Sequence, residues 1–148
     1  MHFVGSGSDT ESLKKQILEL GLENKVIITG EISDRTELEK VYCASDLFLF
    51  PSLYDANSLV QIEAASQGVP TLFIRGAKTA SSCIEDQNAF MSEEDPVLYS
   101  NKIIEIFENE ELYNTVSKNA QKELYSNWDD SIKALLCDYE RIIENFRK

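Results

Sequence analysis

Residues 46–74 read DLFLFPSLYDANSLVQIEAASQGVPTLFI, and this stretch decides the fold. It opens with the near-continuous apolar run 46–50, which is typical of a strand buried on both faces. Residues 58–67 follow as a helix, and a Gly-Val-Pro turn then leads into a second predicted strand, 71–74. Strand, helix and strand in that order predict a βαβ unit with two parallel strands.

The same alternation extends from this stretch towards both ends of the chain. Further strands are predicted at 3–4, 25–29 and near 89–91, and further helices at 10–20, 34–45, from 95 onwards, 109–125 and 129–146. Asp34, with Glu37 three residues later, and Asp95, followed by Pro96, are typical helix starts. The pattern predicts an α/β fold, a Rossmann-like three-layer sandwich with a mainly parallel sheet, whose strands end near residues 4, 29, 50 and 74 at one cleft.

Composition excludes several classes of function. The chain has 148 residues, 43% of them hydrophobic, which suits one globular domain. Its net charge of −12 disfavours binding to nucleic acid and to anionic lipid. No apolar run is long enough to span a bilayer, and the N-terminus does not resemble a secretory signal. The three cysteines are odd in number and lack metal-ligand spacing, so reduced thiols in a cytosolic protein are expected.

The loop after residues 46–50 places two carboxylates around the start of a helix. Asp55 lies in the loop, and Glu63 lies on the second turn of the helix that opens near Ser58. Ligands of open α/β sheets bind beyond the carboxyl ends of the strands. The free N–H groups of residues 57–59 carry partial positive charge there. The arrangement predicts a diphosphate site flanked by two acceptors for sugar hydroxyls.

Several short motifs, in the right order, resemble those of the retaining family 4 glycosyltransferases. Pro51-Ser52, Glu63-Ala64 and Gly68-Val69-Pro70 match, and seven residues separate Asp55 from Glu63 as in the family's acid pair. The flanking segments 4–7, 26–30 and 42–46 agree as well. The resemblance covers nearly the whole chain and implies the C-terminal half of a GT-B fold, in which two Rossmann-like domains face each other.

The resemblance also implies roles for individual residues. Glu63 resembles the acid that holds the ribose hydroxyls. Asp55 resembles the acid that contacts the donor hexose, and it is the candidate catalytic residue. The segment whose amides hold the distal phosphate corresponds to Ala56, Asn57, Ser58 and Leu59.

Three glycines complete the expected donor site, and two positions depart from the family pattern. Gly5 and Gly7 resemble the family's glycine turn, and the backbone before Gly30 resembles the edge that reads the base. The turn alone also fits an ordinary βα connection. Asp55 replaces the usual glutamate and Asn57-Ser58 replaces an aromatic-glycine pair, so sugar identity stays open.

The predicted function is retaining transfer of a hexose from a nucleoside diphosphate sugar, a UDP-sugar, to a glycan or glycolipid acceptor. Residues 1–148 are expected to form one C-terminal donor-binding domain that lacks its first βα unit and the N-terminal acceptor domain. The chain alone is therefore expected to be inactive. No cofactor, metal, nucleic-acid partner or transmembrane segment is expected. The resemblance places the protein in the cytoplasm, with peripheral contact to the inner membrane face through the acceptor domain.

Alternatives stay open at this point. A non-enzymatic Rossmann-like nucleotide-binding or regulatory module, such as a receiver-like domain, would need clustered acids at strand ends to hold magnesium, and only Asp46 and Asp55 come near such positions. Arg75 and Lys78 fit either a phosphate contact or a solvated loop. The aromatic residues at 42, 48, 50, 54 and 73 are expected in the core, with Tyr54 the exception.

Overall fold

The computed structural model describes residues 1–54, 59–125 and 127–146. The strands are β1 (His2–Val4), β2 (Ile27–Gly30), β3 (Phe48–Phe50), β4 (Thr71–Ile74) and β5 (Phe90–Ser92). The helices are α1 (Thr10–Glu19), α2 (Arg35–Cys43), α3 (Leu59–Ser66), α4 (Pro96–Glu108), α5 (Glu110–Glu123) and α6 (Trp128–Phe146), with a 3₁₀ helix, Lys78–Ala80, after β4. The predicted α/β class is confirmed, and the chain divides into two compact units, Met1–Val41 (unit 1) and Tyr42–Lys148 (unit 2).

Unit 1 is built on two parallel strands. β1 pairs with β2, with His2 opposite Ile27 and Val4 opposite Gly30. The predicted strand at 25–29 begins two residues late, because the N–H groups of Lys25 and Val26 both donate to the Leu22 carbonyl in a turn. No residue from 1 to 41, all of which the structure describes, is buried.

Sequence signals mark the end of α1 and the start of α2, whereas α2 ends at Cys43, two residues before its predicted end. Gly21 follows α1 with φ +64°, a left-handed conformation that glycine adopts without steric cost. Asp34 caps α2, since its Oδ1 accepts the backbone N–H groups of Thr36 at 2.8 Å and Glu37 at 3.4 Å. The predicted cap of α2 is therefore confirmed.

Unit 2 contains a three-stranded parallel sheet in the order β3-β4-β5. Phe48 lies opposite Thr71, and Leu72 lies opposite Phe90, so β4 is central. All four residues of β4 are buried, as is typical of a central parallel strand covered on both faces.

The core of unit 2 lies on both sides of β4. Neighbouring residues of a strand point to opposite faces, and Leu72 and Phe73 enter separate clusters accordingly. Leu72 packs with Phe90, Ile106 of α4 and Val116 of α5. Phe73 packs with two buried alanines of the segments after β4. The helices α4 and α5 thus fix the sheet from one side.

Capping and side-chain hydrogen bonds hold α4 and α5 in place. Asp95 Oδ1 accepts the N–H groups of Val97 and Leu98, both at 2.9 Å, which confirms the predicted start of α4. The Tyr99 hydroxyl donates to the Leu72 carbonyl at 2.7 Å, and burial raises the pKa of this phenol. The Tyr113 hydroxyl of α5 donates to the Asp46 carbonyl at 2.8 Å.

One expectation about burial is wrong. β3 was expected to be buried on both faces, but its three residues are only half-buried, because it is the edge strand of its sheet in the described chain. The apolar face of α6 is exposed, and no residue of that helix is buried. Within the described ranges, no helix is both long and apolar enough to cross a bilayer.

Candidate functional site

The candidate site begins where β3 ends, at Pro51. β3 and β4 are parallel, so their carboxyl ends lie at the same edge of the sheet. Helix α3 starts at Leu59 after this edge and packs against both strands. Four of the predicted site residues, Asp55, Ala56, Asn57 and Ser58, lie outside the described residues. The geometry of the site is therefore built from Leu59 and Glu63.

Glu63 is half-buried on the second turn of α3. Its Oε2 accepts a hydrogen bond from the Tyr42 hydroxyl at 3.2 Å. Tyr42 lies in the last turn of α2, and its ring meets the Phe48 ring edge-on, with centroids 6.2 Å apart and planes at 77°. The carboxylate is thus held beside the end of α2 and accessible in part to solvent, as a ligand-binding acceptor requires.

The opposite side of α3 fixes the helix to the protein. Gln61, Ala64 and Ala65 are its buried residues. A second contact joins the end of α2 to the residue after α3, where the Cys43 thiol donates to Gln67 Oε1 at 3.1 Å. Leu59, the first residue of α3, is 65% exposed.

Sequence reasoning missed two polar groups in this unit. Gln61 in the first turn of α3 and Thr79 in the 3₁₀ helix are both buried, and within the described residues Gln61 Oε1 and Thr79 Oγ1 have no hydrogen-bond partner. Both follow the carboxyl end of a strand, β3 for Gln61 and β4 for Thr79. No pattern in the sequence marks them, because a buried glutamine and an exposed one look alike in a helix.

Unit 1 contains the predicted glycine positions. Gly5 adopts φ +131° and Gly30 adopts φ +79°, conformations that L side chains rarely adopt. The Gly5 N–H donates to the Gly30 carbonyl at 2.7 Å, so the structure brings these two glycines together at the ends of β1 and β2. Gly7 begins the approach to α1, and its N–H donates to Thr10 Oγ1 at 3.2 Å.

An open cavity of about 600 Å³ lies against this glycine turn. Its lining includes Gly5, Gly7, Ser8, Leu13 and Gln16, and the single charged side chain among the lining residues is Asp9. Any anion in this cavity would depend on backbone N–H groups rather than on a basic side chain. The side chains of His2 and Thr29 hydrogen-bond to each other, so this histidine has a structural partner.

Arg75 is held by two carboxylates. Its guanidinium donates to both carboxylate oxygens of Glu85, at 2.5 and 2.7 Å, and to Glu93 at 2.7 Å. These hydrogen bonds raise the pKa of Arg75 and lower that of Glu85. The arginine's charge is thus countered within the loop, which favours the structural interpretation of this residue over a phosphate contact.

Cys83 and Lys78 are two further side chains with reactive groups. Burial raises the pKa of the Cys83 thiol, which favours its neutral, unreactive form. Lys78 is exposed. Within residues 1–54, 59–125 and 127–146, no group of three His, Cys, Asp or Glu side chains is arranged to hold a metal ion.

Comparison with known proteins identifies the family of this chain. Residues 1–123 match the family described as glycosyl transferases group 1. The glycogen synthase of Kosmotoga olearia is 28% identical over 158 aligned positions, which cover 99% of this chain and 33% of that enzyme. The chain therefore spans about a third of the length of this relative.

Solved structures share the fold, and two of them serve as examples. The C-terminal domain of a group 1 glycosyl transferase, LpcC from Francisella tularensis, superposes with a TM-score of 0.70 at 18% identity, covering 80% of this chain and 63% of that one. Anabaena HepE in complex with UDP superposes with a TM-score of 0.72 at 22% identity, covering 99% of this chain and 40% of that one. The protein has the α/β fold of GT-B glycosyltransferase C-terminal domains, and by its sequence match it belongs to the group 1 glycosyltransferases.

Proposed function

We propose that this chain binds the donor, a nucleoside diphosphate sugar with a uridine base, for retaining transfer of a hexose within family 4. Membership of the group 1 glycosyltransferases supports transferase chemistry, and the related HepE fold holds UDP. The observation that carries the proposal is the half-buried Glu63 carboxylate, held by Tyr42 on the helix that follows β3. Such an acceptor suits the paired hydroxyls of a ribose.

The other roles remain sequence-based proposals. Asp55 would contact the transferred hexose, and the amides from Ala56 to Leu59 would hold the distal phosphate. The start of α3 would add its dipole, worth about 0.3–1 kcal/mol, to the stabilisation of the departing diphosphate. For unit 1 by itself, we propose that Gly5, Gly7 and Gly30 let donor groups approach the backbone, since nothing lies within 4 Å of a Cβ placed at any of them.

We propose that the acceptor, a glycan or glycolipid, is bound by a part of the whole protein outside these 148 residues. The support is length, because the chain covers only 33% of the Kosmotoga glycogen synthase. On this proposal residues 1–148 act as the C-terminal donor-binding domain and transfer no sugar alone. Transfer needs the acceptor held against the donor carbon, and such positioning is worth about 7–11 kcal/mol of the barrier.

The test compares the two acids with a ligand that lacks the sugar. Glu63→Ala is expected to weaken UDP binding by about 10- to 100-fold, the effect of losing a hydrogen bond to a charged group, about 1.5–3 kcal/mol. Asp55→Ala should leave UDP affinity unchanged and reduce only the preference for UDP-sugar over UDP. Protein-observed NMR titration measures affinities in the weak range that this comparison requires.

Glu94→Ala is the matched control, because Glu94 is an exposed acid that precedes the cap of α4. It removes one negative charge without touching α3. Equal losses of UDP affinity for Glu63→Ala and Asp55→Ala would contradict the division of roles. Absence of UDP binding by the unaltered protein would contradict the proposed function itself.

A further inference from the structure

We infer that Tyr42 is a positioning residue for the donor: its hydroxyl sets the orientation of the Glu63 carboxylate that receives the ribose. This inference rests on the proposed function. Tyr42 matches part of a flanking family motif, but the sequence predicts only an aromatic core residue at this position. The structure adds the hydroxyl contact, which joins the end of α2 to the middle of α3.

The phenol ring is fixed before any ligand binds. Its edge-on contact with Phe48 holds it against β3, with 6.2 Å between ring centroids. The neighbouring residue, Cys43, contacts Gln67 at 3.1 Å, one helical turn after Glu63. The end of α2 therefore contacts Glu63 in α3 and Gln67 just after that helix, two residues that lie four positions apart. The Tyr42 hydroxyl therefore donates to Glu63 from a ring whose position these contacts set.

A carboxylate has about four acceptor positions on its two oxygens. The phenol donor on Oε2 occupies one such position, which does not preclude acceptance of ribose hydroxyls by the same carboxylate. Glutamate loses considerable rotamer freedom when it is ordered. A hydroxyl that orders it in advance lowers the cost of ligand binding, because less freedom is lost when the ribose arrives.

The length of the contact sets the size of the expected effect. At 3.2 Å it is longer than the usual 2.7–2.8 Å of an O–H···O bond. Tyr42→Phe, which keeps the ring and removes one oxygen, should therefore weaken UDP binding by about three- to tenfold, at or below the smallest effects typical of charged hydrogen bonds. The loss should be much smaller for a UDP analogue whose ribose lacks both the 2′ and the 3′ hydroxyl.

The experiment titrates the full chain with UDP and with its 2′,3′-dideoxy analogue by protein-observed NMR. The variants are Tyr42→Phe, Glu63→Gln and both together. We expect the Tyr42→Phe loss to depend on the ribose hydroxyls and to be much reduced in the Glu63→Gln background, because the hydroxyl acts through that carboxylate. Tyr113→Phe is the matched control, since its hydroxyl bonds the Asp46 carbonyl at 2.8 Å, away from α3.

The outcomes separate the two ideas. If Glu63→Gln weakens UDP binding but Tyr42→Phe does not, or if Tyr42→Phe weakens both ligands equally, the positioning role is wrong and the proposed function stands. If Glu63→Gln has no effect, or the unaltered protein does not distinguish the two ligands, the ribose assignment of Glu63 fails and the inference fails with it. If Tyr113→Phe weakens UDP binding as much as Tyr42→Phe does, the loss reflects general destabilisation of the protein, and the positioning role is wrong.

Discussion

The two units pair their strands in the same parallel manner but differ completely in burial. Ile27 in β2 of unit 1 is 60% exposed, whereas Leu72 in β4 of unit 2 is fully buried. Both are apolar residues within apolar runs. In unit 2 the sheet has three strands, and the helices α4 and α5 contribute Ile106 and Val116 to its core. Unit 1 has two strands and no buried residue.

The comparison teaches that a parallel βα pattern does not by itself make a core. Parallel sheets are stable when both faces are covered, and two strands alone are marginal in water. An apolar side chain contributes to stability in proportion to the area it removes from water. Most of the folding free energy of this chain must therefore reside in unit 2, and matched changes in the two units should differ strongly.

The largest expected difference in unfolding free energy is between two truncations to alanine, each of an apolar strand residue, one in each sheet. Leu72→Ala removes a side chain packed against Phe90, Ile106 and Val116, and should cost about 3–5 kcal/mol of unfolding free energy. Ile27→Ala, at an exposed strand position, should cost less than about 1 kcal/mol. Urea denaturation of both variants measures the difference, and a Leu72→Met variant keeps the comparison measurable if the alanine protein does not fold. Equal costs would show that unit 1 is as well packed as unit 2.

A smaller difference in unfolding free energy is expected between two variants that each lose a hydroxyl bonded to a glycine carbonyl, one in each unit. In unit 2, Ser117 Oγ of α5 bonds the Gly68 carbonyl at 2.6 Å in a partly buried setting. In unit 1, Thr10 Oγ1 bonds the Gly7 carbonyl at 2.9 Å at the surface. Ser117→Ala should cost about 1 kcal/mol because a partly buried carbonyl loses its partner. Thr10→Ala should cost a few tenths, since water replaces the hydroxyl; thermal unfolding that ranks the pair in reverse would contradict this.

The smallest expected difference in stability is between two ion pairs, one in each unit. The contribution of the pair in unit 2 depends on pH. The hydrogen bond from Arg75 lowers the pKa of Glu85 below its usual 4.5. A carboxylate with a lowered folded pKa adds stability above its unfolded pKa and loses it as pH falls through the folded value. Glu85→Gln should therefore lower the stability of the protein near neutrality. Below about pH 4.5, the variant should lose less stability on acidification than the unaltered protein does. The effect should stay under about 1 kcal/mol, because Arg75 is 45% and Glu85 is 31% exposed.

One of the exposed ion pairs of unit 1, Lys40–Glu37, provides the comparison for this last effect. Lys40 and Glu37 lie 2.7 Å apart with side chains 65% and 58% exposed. Lys40→Met should change stability by no more than about 0.5 kcal/mol, as for other exposed helical pairs. Stability measured by urea titration at pH 7 and pH 3.5 tests both variants. No pH dependence of the difference between Glu85→Gln and the unaltered protein would contradict the role of the Arg75 pair.

The helices α5 and α6 show that a sequence pattern does not predict whether an apolar face becomes buried. α5 and α6 both carry apolar residues at helical spacing, and both were predicted within a few residues of their observed bounds. Val116 and Ala120 of α5 are buried, while Ile132, Leu135 and the rest of the apolar face of α6 remain about half exposed. Periodicity identifies an apolar face, but it does not say which surface covers that face.

The sequence by itself determined the element order, the parallel class and the family. Local signals suffice for these, since Asp95 caps a helix, Gly21 ends one and the near-continuous apolar run 46–50 marks a strand. Glu63 could likewise be singled out, because its position after a strand and a helix start follows from the order of the motifs.

Only the tertiary structure decided the rest. It showed that β3 is an edge strand, that Arg75 is bound by Glu85 and Glu93, and that the hydroxyl of Tyr42 reaches Glu63. Each of these facts joins residues 10 to 21 positions apart, or depends on which strand lies beside which. Such contacts are set by the packing of whole elements, and a local pattern of residues carries no information about its distant partner.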